Sequence, residues 1–343
     1  MKDGNKNMIM RWIRSHRLLS FILLVLGVLA SAIVAIAYIP FRKIDKPELN
    51  PASSYEEAMR RITAIQEMQR SNPDLLEVCR TKALTHGNKV ENVIVLFHGF
   101  TSCPEQYAEL GQQFYDRGYN VYIPLQPHHG QVDCINSSLP DMTTEELAAF
   151  GMQSVDIARG LGERVTVSGI SGGGAITIWL AQVRDDIDVA MPVAPFLGIN
   201  FIPASLNRFA ARLLDGIPSV WSWWDPVKKE NNPYTDEYQY PRFATHALAE
   251  YMRLGYAAEL EAKVKAPVGK VIVVTNASEP SVNNDVIDRF VDLWQEHDGA
   301  VDRISSYRFE RDLNLPHDII TPERYEGNLT VVYPKFFELL GME

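Results

Sequence analysis

The sequence feature that most constrains the fold is the run Gly169–Gly173, which follows a β-branched stretch and precedes helix-forming residues at 175–183. This run has the pattern G-x-S-x-G with Ser171 at its centre. A strand that turns sharply into a helix needs glycines two positions on either side of the serine, because side chains there would clash. Such a turn lifts the hydroxyl above the sheet edge and points the N-terminus of the helix towards it. We therefore predict that Ser171 is a nucleophile and that the Gly172 N–H donates to an oxyanion.

A turn that is only structural, or one that cradles a phosphate, has the same glycines, but the phosphate-binding G-x-x-x-x-G-K-[ST] pattern is absent.

Short β-rich runs alternate with helical segments from residue 90 onwards, which predicts an α/β fold with a mostly parallel sheet flanked by helices. Ligands bind such sheets at the carboxyl ends of the strands. Residues from about 195 to 265 interrupt the alternation with a Pro-rich stretch crowded with Trp and Tyr, and we expect an inserted lid there. The expected strands are 93–97, 120–123, 164–168, 189–193, 271–275 and 305–309, and the expected helices are 105–117, 144–160, 175–183, 245–254 and 286–294.

An apolar stretch at residues 18–39 contains no charged residue and is long enough, as a helix, to cross a bilayer of roughly 30 Å. The flank before it carries five basic residues and one acidic residue, whereas both signs are mixed in the flank after it. The positive-inside rule then predicts a cytoplasmic N-terminus at 1–17, a transmembrane signal-anchor at 18–39 and an extracytoplasmic remainder, in the periplasm or at the cell surface. A cleaved signal peptide is the alternative, because small residues around positions 30–32 and 35–37 resemble cleavage sites.

After the apolar stretch, the chain divides into a linker with an amphipathic helix at 40–74 and a single α/β domain at 75–343 that includes the lid. Ser53 or Ser54 can cap the amphipathic helix, with Glu56 or Glu57 completing a capping box. Apolar residues recur behind this cap at helical spacing, which is typical of a helix that packs on the domain.

Charge and cysteines restrict the possible partners. The net charge of −10 offers no basic stripe for a phosphate backbone, so we expect no nucleic acid partner. Three cysteines fit an oxidising compartment, and we predict a bridge between Cys79 and Cys103, with Cys134 still open as a partner. No cluster of Cys and His has the spacing of a zinc site, and we expect neither a metal nor a cofactor.

A serine nucleophile needs a base, and the base needs an orienting carboxylate. In the chain order Ser, acid, His, the base is His317, which follows the last expected strand; the other histidines considered are His98, His128, His129, His246 and His297. Glu279 and Asp285 compete for the acid, since both follow the strand at 271–275. We favour Glu279, because Asp285 is equally well explained as the N-cap of the next helix.

The second oxyanion donor is expected from the loop after the first core strand. Gly99 lets that backbone turn, and the N–H of Phe100 could face the reacting carbonyl. An ordinary strand-to-helix loop is the simpler interpretation if Ser171 is not a nucleophile.

These motifs together resemble the α/β-hydrolase superfamily, and most closely its carboxylesterase and monoacylglycerol-lipase-like branch, over roughly residues 75–343. Two positions depart from the usual pattern of the branch, since Glu279 stands where Asp is usual and His128 where Gly is usual. The resemblance implies a serine hydrolase that cleaves small-molecule or lipid-derived esters through an acyl-enzyme, without a cofactor. The motifs that carry it are Leu96–Phe100, His128–Gly130, Gly169–Gly173, Glu279–Val282 and His317–Asp318.

Two other functions share these residues. A serine aminopeptidase uses the same triad but needs a carboxylate pair for the substrate ammonium, and the lid offers Asp225, Glu230, Asp236 and Glu237. A non-catalytic binding protein could retain the fold, since fold does not determine function. Such a relative is expected to lack one member of the triad, whereas this chain has a candidate for each.

Overall fold

A seven-stranded sheet forms the centre of the structure, a computed structural model that describes residues 17–38, 41, 43–231, 238–325 and 327–342. The strands lie in the order β1-β3-β2-β4-β5-β8-β9, and only β1 is antiparallel to its neighbour. A separate antiparallel pair joins β6 and β7. The strands are β1 Lys82–Leu84, β2 Val90–Phe97, β3 Asn120–Ile123, β4 Gly162–Ile170, β5 Val189–Val193, β6 Trp221–Trp223, β7 Arg242–Ala244, β8 Lys270–Asn276 and β9 Ile304–Phe309.

Helices cover both faces of the sheet, as the alternation in the sequence predicts. A 3₁₀ turn at Pro104–Tyr107 takes the place of the first turn of the helix expected at 105–117. The α-helices are α1 Arg17–Tyr38, α2 Tyr55–Ser71, α3 Ala108–Asp116, α4 Thr144–Leu161, α5 Gly172–Val183, α6 Ala204–Gly216, α7 Thr245–Ala262, α8 Asn284–Gln295 and α9 Tyr333–Leu340.

Apolar residues of the central strands are buried on both faces, which is why these strands have near-continuous apolar sequences. In β2, Val93, Val95 and Phe97 belong to one core cluster, and Ile94 and Leu96 belong to the other. The alternation follows from the two-residue period of a strand. The sequence therefore predicts the central strands well, because burial on both faces leaves a strong local signal.

The chain order and the spatial order of the strands diverge between β2 and β4. From β2 the chain passes to β3 on one side, whereas β4 pairs with β2 on the other side. The loops that follow β2 and β4 therefore leave the sheet in opposite directions and open a crevice at their carboxyl ends. Residues 98–104 and Ser171 lie at this point.

The lid elements α6, β6, β7 and α7 lie between β5 and β8 in the chain, within the region 195–265. Helix α7 is longer than the helix expected at 245–254 and runs along α5. Its inward residues, among them Tyr251 and Leu254, are buried in the main core. The base of the lid is therefore part of the core.

Helix α1 takes in most of the stretch predicted to be a membrane anchor, and its apolar side chains are exposed, with Leu18 75% and Leu24 65% accessible. Among the residues that the structure describes, no helix is long and apolar enough to cross a membrane. The side chains of residues 33 and 36–38 of α1 are not among them. The end of the predicted anchor, residue 39, and residues 1–16 of the predicted cytoplasmic segment lie outside the described residues.

Residues 41 and 43–52, which lie between α1 and α2 in the chain, contact the lid helices. The Phe41 ring stacks on Tyr256 of α7 with centroids 5.2 Å apart, and the guanidinium of Arg212 of α6 lies over the same ring. Lys46 forms an ion pair of 2.8 Å with Glu261 near the end of α7. We call residues 41 and 43–52 the strap.

A disulfide joins Cys79 to Cys103, as predicted, while Cys134 carries a free thiol. The bridge links the 3₁₀ turn after α2 to the end of the loop that follows β2. It therefore ties the N-terminal part of the domain to one wall of the crevice.

Replacing Cys79 and Cys103 with alanine is expected to lower the free energy of unfolding by about 3 kcal/mol, because the bridge closes a loop with a sequence separation of 24. Urea unfolding followed by circular dichroism measures the change. Cys134→Ala is the matched control and should unfold like the wild type. An equal loss in the control would show that the bridge itself contributes nothing.

Candidate active site

Ser171 lies on a strained turn between β4 and α5. Its φ of 56° and ψ of −114° place a non-glycine residue at positive φ, a conformation that persists only where the surroundings impose it. The Ser171 N–H donates to the Val193 carbonyl at 3.0 Å, and the Ser171 carbonyl accepts from the N–H groups of Ala175 and Phe196, both at 2.9 Å. Strand β5 and helix α5 therefore hold the turn from both sides.

The glycines around Ser171 permit a close approach of backbones. A Cβ on Gly169 would overlap the Gly173 carbonyl, and a Cβ on Gly173 would overlap the Phe97 carbonyl oxygen. A Cβ on Gly174 would lie 2.8 Å from the Cα of Pro195. The steric requirement inferred from G-x-S-x-G is thus met in the structure, and it extends to the third consecutive glycine.

Phe100 and Gly172 lie side by side at the crevice. A Cβ built on Gly172 would be 3.2 Å from the Cβ of Phe100. Within the described part of the chain, no acceptor takes the N–H of either residue, whereas the N–H groups of Gly99, Thr101 and Ser102 all have acceptors. Two neighbouring free donors beside Ser171 form the arrangement that an oxyanion hole requires.

His317 and Glu279 form a buried pair. Nδ1 of His317 lies 2.8 Å from Oε1 of Glu279, whose side chain is 1% exposed. The same oxygen accepts the N–H groups of Ser281 at 2.7 Å and Val282 at 3.2 Å, and Oε2 accepts from Asn276 at 3.2 Å. A carboxylate that accepts this many hydrogen bonds keeps its charge and fixes the imidazole ring, leaving Nε2 for the substrate side.

The attraction between the charged forms of Glu279 and His317 opposes the effect of burial on their pKa values. Burial alone raises the pKa of Glu279, but His317 and the hydrogen bonds from His317, Ser281 and Val282 bring it below its ordinary value. Burial lowers the pKa of His317, but the Glu279 carboxylate and then Asp318 raise it above its ordinary value. The imidazole is thus a stronger base than a free histidine.

Ser171 and His317 lie at the same sheet edge, but no hydrogen bond joins their side chains in the described structure. Tyr107, Ile170, Leu315 and Ile319 belong to one core cluster, which brings the residues flanking His317 against the residue before Ser171. Catalytic hydrogen bonds are often long in ligand-free structures, and geometry of this kind does not disqualify a base.

The chain is similar in sequence to known hydrolases. The family model for serine aminopeptidase, S33, matches residues 88–253, from β2 to the middle of α7. A thermostable monoacylglycerol lipase from Bacillus sp. (strain H-257) is 26% identical over 205 residues, which cover 57% of this chain and 74% of that protein.

Solved structures of lipases have a similar fold. A monoacylglycerol lipase from Paleococcus ferrophilus superimposes with a TM-score of 0.55 at 18% identity, covering 76% of this chain and 97% of that one. A soluble variant of the monoglyceride lipase from Saccharomyces cerevisiae gives 0.54 at 13% identity, covering 76% and 90%. The chain has the α/β-hydrolase fold. The superfamily resemblance inferred from its motifs is confirmed.

In this α/β-hydrolase fold, Glu279 and Asp285 occupy different environments. Asp285 lies in the first turn of α8 and is exposed. The N-cap of α8 is Asn283, whose side chain accepts from the Val286 N–H, so the interpretation of Asp285 as the cap was wrong. Asn283 and Asp285 both suit a helix start in sequence, and the structure starts the helix directly after Asn283.

The remaining histidines have other partners. His98 and His129 are buried in the loops beside the crevice, and burial lowers the pKa of both, that of His129 to about 4. Nε2 of His129 accepts the Thr101 N–H at 3.2 Å, and Nε2 of His98 accepts the Gln126 N–H at 3.1 Å. These neutral rings hold residues 98–104, which we call the oxyanion loop after its predicted role, and sequence analysis missed this contribution because it depends on contacts between loops far apart in the chain.

One further group of candidate ligands lies in the lid. Asp215, His246 and Glu250 place ligand atoms within 4.8 Å of one another. Glu250 already accepts from the Thr144 N–H and hydroxyl, both at 2.5 Å, and from Arg253 at 3.1 Å. The arginine at this position disfavours an added cation, and the group is explained by packing between α4 and α7.

Replacing Glu279 with glutamine should slow the labelling of Ser171 by a fluorophosphonate roughly 100-fold or more, because the imidazolium loses its counter-charge. Labelling requires neutral His317, so its rate in the wild type should rise with pH through an apparent pKa above about 6.5. Without the Glu279 charge, that rise should move to lower pH. The measurement is the labelling rate of each variant between pH 4 and 9.

Asp285→Asn is the matched control for this change, since it removes a carboxylate from the same segment. Its labelling rate and pH profile should equal those of the wild type. A larger loss in Asp285→Asn than in Glu279→Gln would assign the acid to Asp285 instead.

Proposed function

We propose that this protein is a serine hydrolase that cleaves carboxylic esters through an acyl-enzyme, with Ser171, His317 and Glu279 as its triad. The observation that carries the proposal is the strained Ser171 turn at the crevice, with the free N–H groups of Phe100 and Gly172 beside it. A non-catalytic binding protein would have no reason to retain a strained serine, two free donors and a buried His–Glu pair together.

The reaction follows from these positions. His317 Nε2 takes the proton of Ser171 as Oγ attacks the ester carbonyl carbon, and the resulting oxyanion accepts from Phe100 and Gly172. Collapse of this intermediate breaks the bond to the alcohol, which leaves with the proton from His317. Water then attacks the acyl-enzyme by the same route, releasing the carboxylic acid and restoring the serine hydroxyl. Glu279 remains ionised throughout and stabilises the imidazolium.

Esters are favoured over peptides by the lid residues. Asp225, one of the acids considered for an ammonium site, accepts the N–H groups of Val227 and Lys228, both at 2.9 Å, and so belongs to a turn. Glu230 lies in the exposed 3₁₀ turn Lys229–Asn231, and Asp236 and Glu237 lie outside the described residues. The relatives named above as monoacylglycerol lipases add support for ester substrates. Peptide hydrolysis stays a second candidate, because the matching family model is named for serine aminopeptidases.

We further propose that residues 18–39 anchor the protein in a membrane with the catalytic domain on the extracytoplasmic side. The apolar, charge-free sequence supports the anchor, and the Cys79–Cys103 bridge is typical of an oxidising compartment. Helix α1 contacts the lid helix α6, and Phe201, three residues before α6 in the chain, is 85% exposed. A lid held beside a bilayer suits lipid-derived esters, since such substrates partition into the membrane.

Ser171→Ala should abolish hydrolysis of p-nitrophenyl esters by the full chain, because it removes the Oγ that forms the acyl-enzyme. Initial rates with acetyl, butyryl and octanoyl esters measure the effect, and thermal melting shows whether the variant folds. Turnover that persists in folded Ser171→Ala would refute the mechanism. Faster turnover of aminoacyl arylamides than of every ester would select the peptidase, and activity confined to acetyl esters would refute lipid-derived substrates.

The anchor is tested by fractionation. The full chain should remain with membranes after alkaline carbonate extraction, whereas a secreted form that begins at residue 40 should be released, because the apolar helix is then absent. Immunoblotting of both fractions measures the distribution. Release of the intact full chain would contradict the anchor, and release of a shortened chain would show that a signal peptide is cleaved.

A further inference from the structure

The loop after β2 is held in one conformation by hydrogen bonds on nearly every residue. Gly99 N–H donates to Gln106 Oε1 at 2.7 Å, and Ser102 N–H donates to the Gly99 carbonyl at 3.1 Å. Between them, Thr101 has a φ of 66°, which is unfavourable for a β-branched residue. Strain of this kind persists only when contacts over-determine the conformation.

The contacts that hold Thr101 come from two different parts of the molecule. On the domain side, the Thr101 N–H donates to Nε2 of His129 at 3.2 Å. On the lid side, the Thr101 carbonyl accepts the Tyr240 N–H at 2.8 Å, and Oγ1 accepts from Nε1 of Trp224 at 3.0 Å. Three of the four hydrogen-bonding groups of Thr101 thus have the partners described, and two of these partners belong to the lid.

The residue next to Thr101 is the proposed oxyanion donor. The Phe100 ring is enclosed by lid aromatics, with centroids 5.4 Å from Tyr251 and 6.2 Å from both Trp224 and Phe243. Thr101 and Phe100 share one peptide, so a change in the Thr101 backbone displaces Phe100 relative to Gly99, whose N–H is fixed by Gln106. The position of the Phe100 N–H, which belongs to the peptide with Gly99, therefore depends on whether Thr101 stays in its strained conformation.

We propose that Trp224 and Thr101 are positioning residues through which the lid sets the oxyanion hole. The inference rests on the proposed function, because it assumes that the Phe100 N–H stabilises the oxyanion. The Trp224 indole N–H holds Thr101 at positive φ, and Thr101 in turn orients Phe100. The lid thereby acts on the chemical step as well as covering the site, although neither residue touches the reacting atoms.

Two substitutions remove the same hydrogen bond from opposite ends. Trp224→Phe deletes the indole donor and retains an aromatic ring against Phe100 and Phe243, whereas Thr101→Val deletes the acceptor and preserves the shape of the side chain. Each should lower kcat for p-nitrophenyl butyrate roughly tenfold while KM stays nearly unchanged, because a misdirected donor weakens only the transition state. The double variant should lose no more than either single variant, since both delete one bond.

Trp223→Phe is the matched control, because it makes the same substitution one residue earlier, on the side chain that lies near Arg242. Its kcat should equal that of the wild type. The inference is overturned if kcat of Trp224→Phe is unchanged, if Trp223→Phe loses as much, or if the loss in the double variant is the product of the two single losses.

Amide hydrogen exchange of the full chain, with residues 98–104 as the reporting peptide, separates this inference from the proposed function. Exchange there should be faster in Trp224→Phe than in the wild type and unchanged in Trp223→Phe. Should the wild type hydrolyse no ester, the proposed function fails, and exchange alone decides whether the lid holds the loop. Equal exchange in all three proteins would refute the inference whatever their activity.

Discussion

The site depends on the close approach of helix α5 to the ends of strands β2 and β4. At this contact backbone atoms pack directly against backbone atoms, and no side chain fits between them. A Cβ on Gly169 or Gly173 would overlap a carbonyl group. The approach brings the Gly172 N–H next to Phe100 and forces Ser171 to positive φ. The positions of Ser171 and of the Phe100 and Gly172 N–H groups are therefore consequences of one packing arrangement at the topological switch of the sheet.

The Glu279–His317 pair is governed by the balance between burial and charge. Burial opposes the charged forms of both residues, and their mutual attraction together with the neighbouring hydrogen bonds and charges outweighs it. The hydrogen bonds from Ser281 and Val282 contribute to this balance for Glu279, since an unpaired buried carboxylate would take up a proton. The turn after β8 thus supplies both the Glu279 carboxylate and the hydrogen-bond donors that keep it ionised. A carboxylate at the right place in the sequence would not be sufficient without these donors.

The lid and the N-terminal segment are connected through side chains. In the strap, the Phe41 ring contacts both Tyr256 and Arg212, and Lys46 pairs with Glu261, so the strap is joined to both long helices of the lid. Beside the β6–β7 hairpin of the lid, Trp224 and Tyr240 donate hydrogen bonds to Thr101. A continuous set of contacts therefore links the proposed anchor, the lid and the oxyanion loop.

The sequence by itself determined the features that leave a local pattern. The glycine spacing around Ser171, the apolar runs of β2, β4, β5 and β8, and the regular alternation with helices depend on neighbours within a few residues. The pairing of Cys79 with Cys103 was also within reach, since the two flank one expected strand.

Tertiary structure alone decided the rest. Glu279 and Asp285 suit the same turn in sequence, and they are separated only by which one turns inward towards His317. His98 and His129 resemble candidate bases until their ring nitrogens are seen to accept backbone N–H groups. The physical reason is the same in each case, because burial and long-range hydrogen bonds assign the role of a polar side chain, and neither is encoded in the residues adjacent to it.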